Sequence, residues 1–146
     1  MEYLVYKSTA LVAPGSAACR DIVTDSQQTN ARLGLTGFLH AENGLFIQYL
    51  EGPSEPLWTL YERLFLDVRH EDLLMLGHGE VIKPRFEDWS LGYSDINVLS
   101  FANFLKEVSF MKRGEHPSGL AAIIFLMSVN ARIDLGIADP PQSMWR

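Results

Sequence analysis

The sequence predicts an α+β protein built on a ferredoxin-like βαββαββ sheet, with two helices on one face and a C-terminal helical pair on the other face or in an interface. Residues 30–52 read in succession as a helix end, a strand, a tight turn and a second strand. A strand and a helix precede this stretch, and a helix and two strands follow it. From about Asn97 onwards the pattern is helical.

The bulk composition is that of an ordinary globular protein. The chain has 146 residues, of which 47% are apolar and 21% charged, with a net charge of −6. The absence of a basic stripe argues against nucleic acid as a partner. A single cysteine, Cys19, excludes an intrachain disulfide and suits a reducing compartment. The N-terminus does not resemble a signal peptide and the longest apolar run, 120–127, is too short for a bilayer, so we expect a cytoplasmic protein without a membrane partner.

The first strand and helix are predicted from alternation and from capping signals. Residues 3–8 alternate as in a strand, and Pro14-Gly15 breaks the chain. Ser16 is a suitable N-cap for a helix that runs to about Ala31, and Gly34 is a suitable stop. The inner face of this helix has helical spacing and consists of Cys19, Ile22, Val23 and Ser26.

The hairpin is predicted from residues 35–40 and 44–51 around the turn 41–44, which contains Asn-Gly. Both faces of the second strand are largely apolar, so we expect both sides of the sheet to be covered. Gln48 is a neutral amide in this buried run, and a buried amide needs hydrogen-bond partners. Backbone groups or a water could supply them.

A second helix is predicted from Ser54, which can cap it, with one apolar face formed by Leu57, Leu60, Tyr61, Leu64 and Val68. Arg63 and Asp67 lie one turn apart at the edge of that face. They form either a surface ion pair worth a few tenths of a kcal/mol or the polar rim of a pocket.

Two more strands are predicted, over 73–83 and 86–93, with Trp89 near the middle of the second as a core residue. In a ferredoxin-like sheet the two strands that precede the helices are central neighbours. Tyr6 on the first strand is therefore expected beside Gln48 on the third, with both helices on the same face of the sheet.

The C-terminal part is predicted to form two helices. The first has its period in Phe101, Phe104, Leu105, Val108 and Met111 and ends at Lys112-Arg113-Gly114. The second covers 118–130 and is apolar nearly all round, so it is either buried or in an interface. Together they could cover the open face of the sheet. We expect a domain over 1–95, a helical extension over 96–135 and a loose tail over 136–146.

Common catalytic signatures are missing from the sequence. There is no glycine-rich phosphate loop and no nucleophile elbow, and the four histidines show no metal-ligand spacing, so no metal is predicted. No carboxylate pair can be argued for hydrolysis. The residues by themselves predict an α+β domain with a buried tyrosine, a buried glutamine and a polar helix rim, which does not identify a function.

The motifs in residues 4–93 resemble those of the BLUF family, the blue-light sensors that use flavin. The resemblance rests on N-x-R-x-x-L-T-G over 30–37 and F-x-Q-x-L-E-G over 46–52. It extends to residues 4–8, Arg69-His70 and residues 85–90, in order and with matching gaps.

This resemblance implies a flavin held without a covalent bond between the two helices, over the sheet. By their motif positions, Tyr6 is the light-driven electron and proton donor and Gln48 the amide that links it to the flavin. Asn30 would bind the carbonyl edge of the flavin. Arg63 and Asp67 match positions that line the pocket. FAD is the expected cofactor, with FMN and riboflavin as alternatives.

Two positions depart from the family pattern. Thr29 stands where the family often has Asn or His against the ring. The last strand often carries Trp-x-Met, and here it reads Trp89-Ser90-Leu91. Leu91 puts in doubt any output that depends on the methionine, whereas Trp89 is retained and is expected near Gln48 as a photoactive residue.

The implied function is a reversible photoreceptor and not an enzyme. Light would rearrange the hydrogen bonds of Gln48, give a red-shifted signalling state and pass the signal to a separate signalling protein or through a homo-oligomer. A short, stand-alone sensor is expected. The alternative is a non-photochemical binding or assembly module in which Tyr6 and Gln48 are satisfied core residues. A flavin-dependent enzyme ranks third, because no acid, base or nucleophile can be named beside the ring.

Overall fold

The computed structural model of the chain describes residues 1–108, 112–113 and 116–136. The order of its elements confirms the predicted fold class. The strands and helices are β1 (Glu2–Ala10), α1 (Ala17–Leu33), β2 (Thr36–Glu42), β3 (Leu45–Gly52), α2 (Ser54–Leu64), β4 (His70–Glu80), β5 (Gly92–Asp95), α3 (Phe101–Glu107), β6 (Lys112–Arg113), β7 (His116–Pro117) and α4 (Gly119–Asp134). None of these helices is long and apolar enough to cross a membrane.

The main sheet has the strand order β4-β1-β3-β2-β5. β1 and β3 are antiparallel neighbours at its centre, and Tyr6 lies directly opposite Gln48, as predicted. β5 runs parallel to β2 at the other edge. Because Tyr6 and Gln48 are paired residues, their side chains point to the same face of the sheet.

The hairpin between β2 and β3 turns in two residues. Asn43 and Gly44 have φ values of 47° and 78°, the left-handed conformation that a tight hairpin turn requires. The predicted turn was too long, because Ala41 and Glu42 belong to β2 and are buried. Glu42 remains in the strand because its carboxylate finds partners on α3.

Each face of the sheet is covered by one pair of helices. The side chains of Leu4, Tyr6, Phe46 and Leu50 pack under α1 and α2, together with Cys19, Val23 and Leu57 from those helices. The alternate residues Val5, Ile47 and Tyr49 pack under α3 and α4. The prediction that the C-terminal helices cover the open face is therefore confirmed.

The capping of α1 is as predicted, whereas α2 differs at both ends. Ser16 accepts a hydrogen bond from the amide of Cys19, and Gly34 closes α1 with a φ of 72°. Ser54 is not the cap of α2; Pro53 occupies that position and provides no side-chain bond. α2 ends at Leu64, so Val68 lies beyond it and is 85% exposed.

The last strand of the sheet is shorter than predicted. Residues 86–91 form a loop, and β5 begins only at Gly92. The carboxylate of Glu51 accepts hydrogen bonds from the amides of Arg85 and Phe86, at 2.9 and 2.8 Å. These amides are therefore bound to a side chain instead of a neighbouring strand.

The C-terminal helices also have different bounds from those predicted. α3 ends at Glu107, and Lys112–Arg113 pairs with His116–Pro117 in a short ladder instead of ending a helix. α4 continues past Asn130 to Asp134. The predictions for Met111, for Gly114 and for the tail from 137 onwards lie outside the described residues.

Candidate functional site

A cleft of about 150 Å³ opens between α1 and α2, above β3. It contains five of the residues proposed for cofactor binding from the sequence, namely Thr29, Asn30, Gln48, Arg63 and Asp67. The sixth, Tyr6, lines a smaller cavity that shares Gln48 and Asp67 with the cleft. The structure thus gathers all six around one site.

The floor of the cleft is a hydrogen bond between two buried side chains. The hydroxyl of Tyr6, which is 2% exposed, donates to Oε1 of Gln48. Burial raises the pKa of the Tyr6 phenol, and Tyr61 and Asp67 raise it further, so the phenol keeps its proton at neutral pH. With Oε1 bound to the phenol, the NH₂ end of the Gln48 amide is left to donate to a ligand.

Asn30 presents a buried acceptor with no partner. Its Nδ2 donates to the carbonyl of Ser90 at 2.7 Å, and because a carbonyl can only accept, the orientation of the amide is determined. Oδ1 is buried and has no hydrogen bond within the described part of the chain. A buried polar atom left unpaired costs about 1–3 kcal/mol. This arrangement indicates a ligand that offers a donor at this point.

An ion cluster spans the mouth of the cleft. Arg69 donates to Asp67 through Nε and Nη2, at 2.9 and 2.8 Å, and to Asp25 of α1 through Nη1, at 3.0 Å. The hydrogen bonds from Arg69 lower the pKa of Asp67 despite partial burial. Arg69 therefore ties α1 to the chain that follows α2.

Asp67 is thus paired with Arg69. The alternative that paired Asp67 with Arg63 in a surface ion pair is wrong. α2 ends at Leu64, so Arg63 and Asp67 do not lie one helical turn apart. Both line the cleft, which agrees with the rim interpretation. Arg69 was missed as a site residue, although the Arg69-His70 motif was a signal that could have identified it.

His70 supports Tyr6 from the side. Its Nε2 lies 2.7 Å from the carbonyl of Leu64, which can only accept, so Nε2 carries the proton in this contact. Nδ1 then accepts from the hydroxyl of Ser8 at 2.8 Å in the neutral ring. The imidazole edge faces the Tyr6 ring, with 6.3 Å between the two ring centroids. Through its bonds to Leu64 and Ser8, His70 holds the end of α2 against β1 beside Tyr6.

Trp89 is not near Gln48, contrary to prediction. It packs on the opposite face of the sheet against Phe38, and its indole donates to Asn130 of α4 at 2.7 Å. Leu91 is buried on the cleft side of the sheet. In a strand, residues 89 and 91 would point the same way; the loop over 86–91 breaks this alternation.

The residues of the cleft fit a flavin ring. A flavin has an apolar body and a polar edge in which one N–H lies between two carbonyls. Leu50, Leu60 and Leu64 supply apolar walls. Asn30 Oδ1 would accept from the N–H, and the NH₂ of Gln48 would donate to a carbonyl. In the described ranges no three metal-ligating side chains come together.

A larger open groove of about 600 Å³ runs along β4 and the start of α4. The arginine that lines it, Arg85, already donates to the hydroxyl of Tyr49 at 2.8 Å. No buried polar side-chain atom among the described residues that line it lacks a partner. The polar groups, and not the volume, therefore select the smaller cleft as the site.

Comparison with known proteins places these residues in one family. The family model of sensors of blue-light using FAD matches residues 1–92, which include Tyr6, Asn30, Gln48 and Trp89. The beta subunit of photoactivated adenylate cyclase from Euglena longa is 34% identical over 88 residues, 60% of this chain and 10% of the cyclase. The alpha subunit from Euglena gracilis is 28% identical over 81 residues, 56% of this chain and 8% of that protein. The chain spans about a tenth of the length of these curated relatives.

Solved structures show the same fold. The dark-state structure of the BLUF protein BlrB has a TM-score of 0.72 at 27% identity and covers 89% of this chain and 94% of BlrB. The photo-activated state of BlsA has a TM-score of 0.71 at 23% identity, with 96% and 97% covered. A bacterial light-regulated adenylyl cyclase has a TM-score of 0.62 at 24% identity and covers 93% of this chain but 36% of the cyclase. At these identities the last two show the fold alone. On its family match, its fold and its cleft, the chain belongs to the BLUF family of blue-light sensors that use FAD.

Proposed function

We propose that the chain works as a blue-light photoreceptor in which Tyr6 and Gln48 convert absorption by a flavin into a new hydrogen-bond pattern. The observation that carries this proposal is the buried Tyr6–Gln48 hydrogen bond at the floor of the cleft. A phenol and an amide that only filled the core would not require the unpaired acceptor of Asn30 beside them.

Six residues would hold the flavin. Asn30 and Gln48 bind its polar edge, Thr29 and Arg63 line the cleft, and Asp67 holds Arg69 at the mouth. Tyr6 lies beneath Gln48. FAD is the proposed cofactor. FMN and riboflavin have the same ring and would meet the same contacts, because Asn30 and Gln48 would bind the ring and not a nucleotide.

When bound, the flavin supplies a ring that absorbs blue light and accepts an electron in its excited state. Tyr6 gives up one electron and becomes strongly acidic, so its proton passes along the existing bond to Oε1 of Gln48. The Gln48 amide then rotates or tautomerises, which exchanges its donor and acceptor ends. The hydrogen bonds at the polar edge of the flavin change as a result, and the absorption shifts to the red.

The electron and a proton return to Tyr6 once the Gln48 amide has changed, and the raised pKa of Tyr6 favours this return, because burial destabilises the phenolate. The red-shifted state would therefore differ from the dark state in its hydrogen bonds and not in the oxidation state of the ring. Dark recovery then needs only the reversal of the amide, and no bond is made or broken for a substrate. The chain is therefore proposed to be a sensor and not an enzyme in its own right.

The output is proposed to reach a separate signalling protein or a second copy of the chain, in the cytoplasm. The proposed sensor domain covers residues 1–95, the helical extension 96–135 and the tail 136–146. Relatives named as photoactivated cyclases support an effector as the receiver of the signal. Light scattering on a sizing column, in the dark and under blue light, would detect a change of oligomer.

The deciding experiment is an absorption spectrum of the purified protein with FAD, in the dark and just after blue light. We expect a small red shift that decays in the dark. Tyr6→Phe should keep the flavin and lose the shift completely, because the phenylalanine has no proton to give. Tyr61→Phe is the matched control, since its ring lies 5.8 Å from that of Tyr6 but does not bond to Gln48.

Three results would contradict the proposal. A normal red shift in Tyr6→Phe removes Tyr6 from its role. Bleaching of the flavin in place of a shift indicates redox chemistry. Failure to bind FAD at all leaves the binding or assembly module as the better account.

A further inference from the structure

The short segment 89–91 contacts the helices on both faces of the sheet. On the cleft face, the carbonyls of Ser90 and Leu91 accept from Asn30 and Gln27 of α1, at 2.7 and 3.0 Å. On the other face, the indole of Trp89 donates to Asn130 of α4 at 2.7 Å. Three consecutive residues thus join the cleft to a helix that lies on the far side of the sheet.

Within the segment 89–91, Ser90 cannot easily move without also moving Trp89, because the backbone is held on both sides. The carbonyl of Trp89 accepts from the amide of Gly37 in β2, at 3.3 Å, and its own amide donates to Phe86 at 3.1 Å. Gly92, which follows the segment, is so close to Phe38 that an added Cβ would lie 2.4 Å from its ring. A displacement at Ser90 would therefore be carried to the Trp89 side chain.

Asn130 stands out on α4. From Gly119 to Ala131 the helix carries no charged side chain, and Asn130 is its only amide there. An indole N–H can only donate, so Oδ1 of Asn130 must face Trp89. A buried indole N–H usually has a hydrogen-bond partner, and here the partner is provided by a helix distant in sequence.

We propose that Asn130 is a positioning residue that fastens Trp89 to α4, so that a change at Asn30 in the cleft reaches α4 through the segment 89–91. The amide of Asn30 is a rigid plane. Its Oδ1 is buried without a partner among the described residues, at a position that lines the cleft, and its Nδ2 holds Ser90, so a movement at one end would displace the other. The proposal rests on the proposed flavin occupancy of the cleft.

The test follows α4 and Trp89 in the flavin-loaded protein, in the dark and under blue light. The readouts are the indole N–H signal of Trp89 in ¹⁵N NMR, assigned with Trp89→Phe, and hydrogen exchange of the amides over 119–134. Asn130→Leu removes the acceptor at nearly constant volume. Ser128→Ala is the matched control on α4, because its hydroxyl bonds to the carbonyl of Ile124 within the same helix.

In the wild type and in Ser128→Ala we expect light to shift the indole signal and to change exchange in α4 by at least threefold. In Asn130→Leu the red shift of the flavin should persist while the change in α4 exchange disappears. Asn130→Asp, which keeps an acceptor oxygen, should restore it. An unchanged light response of α4 in Asn130→Leu would overturn the proposal.

A dark measurement separates this proposal from the photochemistry. Asn30→Ala should shift the Trp89 indole signal without light, whereas the neighbouring Thr29→Ala should not. If the red shift is missing but this dark coupling is present, the photochemical function fails and the coupling stands. If the red shift is normal and Asn30→Ala leaves the indole signal unmoved, the coupling is wrong. The dark arm tests the step from Asn30 to Trp89 without an Asn130 variant. Where Asn130→Leu does not fold, Asn130→Asp compared with the wild type tests the step from Trp89 to α4, and loss of the α4 light response in Asn130→Asp would contradict the role of the acceptor oxygen.

Discussion

The two faces of the same sheet are built in different ways. Among the described residues, the buried polar groups under α3 and α4 are paired: His40 contacts Glu42 and Ser94 at 2.9 and 2.7 Å, and Glu51 accepts from Tyr49 at 3.1 Å. Under α1 and α2, Asn30 has a buried oxygen without a partner in the described part of the chain. The difference arises although neighbouring residues of the same strands serve both faces.

Empty volume does not explain this difference. Open grooves of about 600 and 270 Å³ border the α3/α4 face and exceed the cleft between α1 and α2. What separates the faces is whether their polar groups are satisfied. A face that only joins layers can pair every group internally, whereas a face that receives a ligand must keep donors and acceptors open for it.

Glu42 shows how the described polar groups of the α3/α4 face are paired. Its carboxylate accepts from the amides of Phe101 and Ala102, at 2.7 and 3.1 Å, and from the hydroxyl of Ser100, at 3.1 Å. Burial alone would raise the pKa of Glu42, but the hydrogen bonds from His40 and from these amides lower it overall. A carboxylate of β2 thus caps the first turn of α3.

The comparison can be tested most strongly with Phe125→Ala. Phe125 is fully buried and its ring contacts those of His40, Phe101 and Phe104 at 4.7–5.4 Å. Loss of such a side chain should lower the free energy of unfolding by about 3–5 kcal/mol in urea titrations. Met127→Ala, on the exposed side of α4, should cost far less. Equal losses for the two would mean that the face is not closely packed.

The pH dependence of stability tests whether the paired face is sealed. Burial lowers the pKa of His40, although Glu42 and Asp95 oppose the shift. Below pH about 6.5 the unfolded chain takes up a proton that the folded His40 resists, so the free energy of unfolding should fall with falling pH. One proton limits the slope to about 1.4 kcal/mol per pH unit. Ser94 and the Phe125 ring complete its surroundings and do not titrate.

Urea titrations from pH 7.5 to 5.0 measure this slope. His40→Gln should flatten it, while His116→Gln, at an exposed position, should leave it unchanged. A slope that survives in His40→Gln would assign the effect to another group and would contradict the sealed arrangement.

The smallest expected change in stability concerns the cleft face. Asn30→Leu removes the unpaired oxygen, which should raise the free energy of unfolding, and removes the bond to Ser90, which should lower it. The two effects should largely offset, so the net change in the free energy of unfolding without flavin should be about 1 kcal/mol. Affinity for FAD should fall at least tenfold, because the acceptor for the ring is gone. Fluorescence titration with FAD measures the affinity. Unaltered affinity would show that Oδ1 is not used by the ligand.

Local signals in the sequence were sufficient for much of this protein. Period-two alternation in β1 and β3, with their neighbouring positions in a ferredoxin-like sheet, was enough to predict that Tyr6 faces Gln48. Ser16 and Gly34 bound α1 where their chemistry predicts. The Asn-Gly pair makes the hairpin turn because both residues tolerate positive φ.

Two of the errors occur where a distant partner decides the structure. The amides of Arg85 and Phe86 bind Glu51 where the predicted strand would begin, and residues 86–91 form a loop in which Trp89 faces Asn130 and not Gln48. Glu42 lies in β2 because α3 supplies its donors.

The sequence by itself therefore determined which residues of β1 and β3 share a face and which residues bound α1, since alternation and capping act between near neighbours. The pairing of Tyr6 with Gln48 followed from the same alternation together with the ferredoxin-like strand order. The tertiary structure alone decided which face Trp89 occupies and that the Oδ1 of Asn30, and not its Nδ2, has no partner among the described residues. The physical reason is that a buried polar group takes the partner that folding brings to it, and that partner can lie 40 or more positions away, as for Trp89 and Asn130.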